Sequence, residues 1–254
     1  MAGASVLTFT KKGIFCPAGN FFIDPIKRVD RALITHGHAD HARRGMGRYL
    51  TTKSAAPVIR HRLGTIDLET VEYGETRKIG DAIVSFHPAG HVPGSAQIRV
   101  EVGGEVWVVS GDYKVVADEV SEPFEPVPCH TFITECTFGL PVFHWEAPER
   151  VDAEVNRWWA ENSAEGRFSA CSAYSLGKAQ RILAALDTSI GTVLADPAIE
   201  DINRVLRGQG IVLPKTVRLA PNLDPGAYKG AFVLTTPSAF GRDWADRLQP
   251  ASTA

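Results

Sequence analysis

The sequence predicts an α/β protein built in two parts, and three observations carry that expectation. Several short apolar runs in the first 145 residues end in a histidine or a carboxylate, as strands do when their ends line a site. From residue 146 onward, apolar and amphipathic runs alternate, so strands and helices take turns in a smaller α/β unit. The composition is that of a globular chain, with 254 residues, 44% of them apolar and 22% charged, enough for one large or two modest cores. No stretch is long enough to span a membrane, and the N-terminus lacks the apolar run of a signal peptide. Cys16, Cys129, Cys136 and Cys171 are scattered without a Cys-x-x-Cys pair, which fits a cytoplasmic protein better than a disulfide framework.

Taken in order, residues 6–9, 13–17 and 20–24 read as strands, the last ending in Asp24 before a proline. Asp24 stands either to brace a metal-binding loop by a hydrogen bond or to cap a turn. A short apolar run, residues 31–35, then leads into His36, His38, Asp40 and His41. Packing and solubility do not call for that density, whereas imidazole nitrogen suits zinc and similar ions and a carboxylate completes a mixed site. In a turn leaving a strand, His36 and His38 converge on one ion. Asp40 and His41, opening a helix expected over 40–46, reach a second. Residues 48–51 read as a strand, 55–63 as a helix, and 69–73, 76–79 and 82–87 carry strand composition.

The loop over 88–96 sets His91 among glycines, free to turn its imidazole into a cleft and supply a third nitrogen to the first ion. The apolar run from 105 ends in Gly111-Asp112, which places Asp112 at a sheet end as a bridge between two ions. The run from 131 repeats the pattern with Glu135, either a partner to a ligand histidine or a strand cap. His61, His87, His130 and His144 read as ordinary histidines. The net charge of −2 hides an uneven distribution: residues 27–62 hold nine cations, Arg43 and Arg44 beside the histidines among them, and only two acids, Asp30 and Asp40. A positive field around a metal site draws phosphodiesters. In the second part, residues 151–161 form an amphipathic helix and 167–172 a strand. Ser175 and Lys178 then open a helix, as a phosphate site or as a plain cap. Strand and helix alternate to the end, where residues 249–254 read as frayed.

Together, His36-x-His38-x-Asp40-His41, Gly90-His91-x-x-Gly94-Ser95-Ala96-Gln97, Ser110-Gly111-Asp112-Tyr113-Lys114, Thr134-Glu135-x-Thr137-Phe138-Gly139 and Ser175-Leu176-Gly177-Lys178-Ala179-Gln180 resemble the β-CASP branch of the metallo-β-lactamase fold. Within it the likeness is to bacterial ligase-associated exonucleases of the DNA-damage response and to messenger-RNA 3′-end processing factors. The resemblance implies an αββα sandwich over residues 1–145 followed by a β-CASP-like unit over 146–254. It also implies two divalent ions, zinc or manganese, cutting a phosphodiester of single-stranded DNA in repair, with a DNA ligase and other repair proteins as partners. The family's late histidines have no counterpart after His144, so the chain reads as C-terminally shortened. RNA 3′-end processing, hydrolysis of a small thioester-type substrate, and metal and nucleic-acid binding without turnover are the alternatives. The basic window speaks against the thioester.

Overall fold

Period-two alternation in short apolar runs lets each strand of the first unit serve two faces at once. In the computed structural model, which describes residues 5–239, 248 and 250–253, the chain divides into two units, Met1–Thr137 and Phe138–Ala254. In the first, strands β1 (Thr8–Thr10), β2 (Gly13–Cys16), β3 (Phe21–Ile23), β4 (Arg31–Leu33), β5 (Arg48–Thr52) and β6 (Leu68–Val71) form one sheet in sequence order. Helix α1 (Ala56–Leu63), with Pro57 in its first turn, lies between the last two in sequence. Ala32, Ile34 and Tyr49 pack with Ile59 and Leu63 of the helix, while Leu33 and Leu50 point the other way, into the core.

The second sheet of this unit comprises β7 (Arg77–Ile79), β8 (Ala82–Pro88), β9 (Ala96–Val102), β10 (Glu105–Val109) and β11 (Thr131–Ile133), in the order β11-β10-β9-β8-β7. Its inward residues Val84, Phe86, Ile98 and Val100 are fully buried and join Phe21, Ile23 and Leu33 of the first sheet in one core. Truncating a buried phenylalanine such as Phe86 to alanine costs about 3–5 kcal/mol in such a setting. Strand β9 is not among the expected strands, although Ala96, Ile98 and Val100 alternate with polar neighbours.

Strand direction gathers the loops that matter. β3 and β4 run parallel. β8 and β10 both pair antiparallel with β9, and β10 runs parallel to β11, so the carboxyl ends of β8, β10 and β11 share one edge. Asp24, the His36–His41 turn, His91, Asp112 and Glu135 all follow carboxyl ends of these five strands.

Residues 40–46 do not form the expected helix. The Ala42 N–H donates to the His38 carbonyl at 2.8 Å, which makes one turn. Propagation stops there because the Tyr49 hydroxyl donates to the Arg43 carbonyl at 2.8 Å and accepts from the Met46 N–H at 3.0 Å, groups a helix would need. Gly45, at φ +90°, turns the chain out of helical conformation.

The second unit is a parallel sheet: α2 (Pro148–Ala164), β12 (Phe168–Ser172), α3 (Lys178–Ala185), β13 (Val193–Ala195), α4 (Pro197–Gly208), β14 (Val217–Arg218), β15 (Phe232–Thr235) and β16 (Ala251–Thr253). Its strand order is β14-β13-β15-β12-β16, each pair parallel. β13 and β15 are buried along their whole length, as strands covered on both faces are. Asp196 caps α4, its carboxylate accepting from the Ala198 N–H at 2.9 Å with Pro197 at the first helical position. Two expectations are corrected here. Residues 251–253 are not frayed but pair with β12, while Gln249 and Ala254 lie outside the described residues. Helix α3 starts at Lys178 rather than near Ser175, because Gly177, at φ +89°, breaks the chain direction and Gln180 Oε1 accepts from its N–H.

Candidate metal centre

Two groups of ligand-type side chains meet where these strand ends converge. His36, His38, His91 and Asp112 form one and His41, Asp112 and Glu135 the other, the contributing atoms in each lying within 4.8 Å of one another. Asp112 belongs to both.

The first group is held from the backbone. His36 is fully buried; its Nε2 lies 2.9 Å from His38 Nδ1, and His91 Nε2 lies 3.2 Å from that same nitrogen. The His91 loop is folded by the buried Ser95, whose hydroxyl accepts from the N–H groups of His91 at 3.0 Å and Val92 at 3.2 Å. Gly90, at φ +74°, is required there, since a Cβ would meet the Lys114 carbonyl at 2.2 Å. Burial first, then the neighbouring imidazoles, holds His36 well below its ordinary pKa, with Asp112 opposing. Burial, then His38, pushes His91 down to about 4, Asp112 again opposing. His36 and His91 are therefore neutral at pH 7, and their Nε2 atoms converge with His38 Nδ1 on one point.

The second group is built around His41. Asp24 follows β3 with φ +43°, a left-handed conformation that aspartate tolerates. Its Oδ1 accepts from the Thr35 N–H at 2.9 Å, and its Oδ2 accepts from the Thr35 hydroxyl at 2.6 Å and lies 2.8 Å from His41 Nδ1. With Nδ1 so engaged, His41 Nε2 faces Asp112 Oδ1 at 3.3 Å and Glu135 Oε2 at 3.8 Å. Burial works against a charge on His41, but Asp112 and Asp24 outweigh it and raise the pKa to about 10. Burial likewise opposes the Asp112 charge, and His41, His36 and His91 overcome it, so that carboxyl stays ionised well below the usual range. Glu135 is shifted up by burial and by the Asp112 carboxylate beside it.

This donor set suits a divalent cation. Asp112 Oδ1 is buried without a well-aligned hydrogen bond, its nearest ring nitrogen being His41 Nε2 at 3.3 Å, so an ionised carboxylate stands between the neutral His36 and His91 on one side and a histidine–carboxylate cluster on the other with room to take a cation.

Not every expected residue is gathered. Asp40 points largely to solvent, its side chain 69% exposed and its Oδ2 3.8 Å from His41 Nε2, outside both groups. Glu135, expected beside the ligands, contributes an oxygen to the second group although its side chain is 48% exposed. Arg43 turns its Nε to the Asp40 carbonyl at 2.9 Å, and Arg44 reaches the carbonyls of Leu63 and Arg62. Ser175 and Lys178 lie in the second unit and belong to neither group; the Ser175 carbonyl accepts from Gln180 Nε2 at 3.0 Å. His87 hydrogen-bonds Ser85 and Glu125, and His130 Nδ1 accepts from the Val106 N–H. Thr35 and Ser95 set the two histidine loops; Ser95 stands in the His91 motif, whereas Thr35 carries no sequence signal beyond preceding His36. Among the described residues, no helix is long and apolar enough to cross a membrane, and the four cysteines are unpaired.

No protein-family model matches the chain. By sequence it is similar to a "Probable DNA ligase" of Opitutus terrae, 29% identical over 205 residues that cover 80% of this chain and 20% of that protein. It is similar to an endoribonuclease of Neurospora crassa, 30% identical over 123 residues covering 47% of this chain and 14% of that protein. A ribonuclease of Thermus thermophilus is 27% identical over 201 residues, 66% of this chain and 45% of its own length. The chain thus spans less than half the length of each of these relatives. Among solved structures, one of a protein of unknown function from Enterococcus faecalis matches with a TM-score of 0.58 at 14% identity, covering 86% of this chain and 60% of that one. That likeness is one of fold.

Proposed function

We propose, on the premise that the chain shares the β-CASP metallo-β-lactamase family of its relatives, that it is a metal-dependent phosphodiester hydrolase acting on nucleic acid, foremost a DNA exonuclease. The observation that carries the reading is the pair of ligand groups sharing Asp112. When bound, divalent ions, zinc before manganese, supply Lewis acidity toward a phosphoryl oxygen and make water acidic enough to attack phosphorus near neutral pH.

The remaining work falls to this chain's side chains. His36, His38 and His91 would hold one cation through their ring nitrogens. Asp112 serves both groups and fixes the spacing between them. His41 presents Nε2 to the second group because Asp24 holds Nδ1, Glu135 adds a carboxylate oxygen there, and Asp40 would join it by turning in from solvent. Arg43 and Arg44, beside the histidine turn, grip phosphate oxygens of the strand. Ser175 and Lys178 are assigned to phosphate contacts in the second unit. DNA repair, with a ligase as partner, is favoured by the relative named as a DNA ligase. An RNA-processing role is the second reading, favoured by the two ribonuclease relatives.

The test is metal content per chain, by elemental analysis of protein purified without a metal-affinity tag, followed by cleavage of single-stranded DNA and of RNA with zinc or manganese. Close to two ions and metal-dependent cleavage are expected, with both lost in His38→Ala. Undiminished cleavage by a metal-free His38→Ala chain would sink the reading. Preference for RNA over DNA would move it to the second.

A further inference from the structure

The turn that carries His38 and His41 also walls an open, shallow cavity of about 420 Å³. Ala39 and Ala42 line it, and they bracket Asp40 and His41 in the chain. Cavity and metal centre are thus separated by one or two residues of backbone, less than about 10 Å of chain. Lys27, Arg28, Arg43, Arg44 and Arg62 line the cavity, and no carboxylate does. Ile26, Met46 and Leu63 add an apolar floor.

The guanidinium groups of Arg43, Arg44 and Arg62 are held by backbone carbonyls, and among the described residues no carboxylate forms a close ion pair with them. Arg43 Nε donates to the Asp40 carbonyl at 2.9 Å, Arg44 Nη1 to the Leu63 carbonyl at 3.2 Å, and Arg62 Nη1 to the Gly37 carbonyl at 2.5 Å. A carbonyl fixes the direction of a guanidinium but leaves its full charge and its other N–H donors available. Arg60, outside the cavity, is also held by a carbonyl, that of Leu68 at 3.2 Å, but other arginines are neutralised. Arg77, Arg99, Arg150, Arg207 and Arg218 each lie 2.7–3.0 Å from a carboxylate oxygen. Arg62 registers the crowding: burial first, then the charge of Arg44, loosens its proton, with Asp40 opposing. Like charges fixed around a concave surface repel, and an anion relieves the repulsion.

We infer that this cavity binds a phosphate of the nucleic-acid strand away from the scissile bond, its oxyanions on the open N–H donors and its sugar or base against the apolar floor. The inference rests on the nuclease reading above and adds Lys27, Arg28 and Arg62 to the residues that grip substrate.

Fluorescence anisotropy of a labelled oligothymidylate, titrated with the full chain in EDTA at a series of salt concentrations, tests it. Lys27→Ala/Arg28→Ala replaces two exposed residues. It is expected to weaken binding and to lower the slope of log Kd against log salt by about 0.7, the value for one lost phosphate contact on a single strand. Arg218→Ala, whose guanidinium is paired with Asp201, is expected to keep the wild-type slope. A double variant with the wild-type slope overturns the inference and leaves the nuclease reading standing. A wild-type chain that binds no oligonucleotide overturns both. Inorganic tripolyphosphate binding as tightly as the oligonucleotide assigns the cavity to a free phosphate anion and overturns the strand reading.

Discussion

The two halves of the His/carboxylate centre share Asp112 and are otherwise built in opposite ways. In the first, His36, His38 and His91 are carried on loops locked by backbone contacts, and burial strips His36 and His91 of charge. Their nitrogens are ready for a cation without first losing a proton. In the second, one histidine sits beside Asp24, Asp112 and Glu135, and the carboxylates of Asp112 and Asp24 overcome burial to hold it protonated with a pKa of about 10. A cation entering there displaces that proton. The first half favours borderline metals that prefer nitrogen; the second, richer in oxygen and more exposed, suits harder ions as well. Sharing one carboxylate lets two unlike sites sit side by side.

The most damaging way to break this comparison is Asp112→Ala, which removes the element common to both halves. Bound metal is expected to fall towards zero, and cleavage by on the order of 10³-fold, the equivalent of ~4 kcal/mol in the barrier. The buried core of the first unit does not depend on this side chain, so the far-ultraviolet circular dichroism should be unchanged. Retention of two ions by a folded Asp112→Ala chain would refute a shared ligand.

The contrast between the halves also explains what could be read from the sequence. The first half was legible because its residues stand in a dense motif: His36 and His38 two apart after a strand, and His91 among glycines. Asp112 was legible because a long apolar run ends on it. The second half was harder. Glu135 and Asp40 are both carboxylates close to the motif, and which of them turns toward His41 depends on the packing of β10 against β11 and on a turn at 40–46 that Tyr49 keeps from becoming a helix. Local propensity does not encode a hydroxyl arriving from the next strand. Strand β9 escaped notice because its partners lie on both sides of it, and its place in the core is fixed by tertiary pairing with β8 and β10. In the second unit the alternation of strand and helix was plain, whereas the pairing of β16 with β12 joins residues some eighty positions apart.

A milder substitution separates the halves. Asp24→Asn keeps the shape of the side chain and its tolerance of the left-handed backbone, but an amide cannot accept from Thr35 and His41 as a carboxylate does. His41 loses its anchor, while His36, His38 and His91 keep theirs. Metal affinity of the second half is expected to fall about 10–100-fold, the usual effect of losing a partner behind a ligand, with the first ion retained. Competition against a chromogenic chelator would resolve the two affinities. Equal weakening of both would mean that Asp24 supports the whole loop, through Thr35, rather than His41 alone.

The smallest expected effect belongs to Glu135→Gln, and it tests whether this residue helps to hold the second ion. Burial first, then the ionised Asp112 beside it, makes Glu135 bind its proton more tightly than usual. An amide removes the charge that both oppose, so the metal-free chain should be no less stable in thermal unfolding than the wild type. The same change removes one anionic oxygen from around His41 Nε2, and occupancy of the second half should fall several-fold while the first is untouched. The two readouts move apart only if Glu135 acts on a cation. If it served merely to cap the end of β11, stability would drop and both metal affinities would stay where they were.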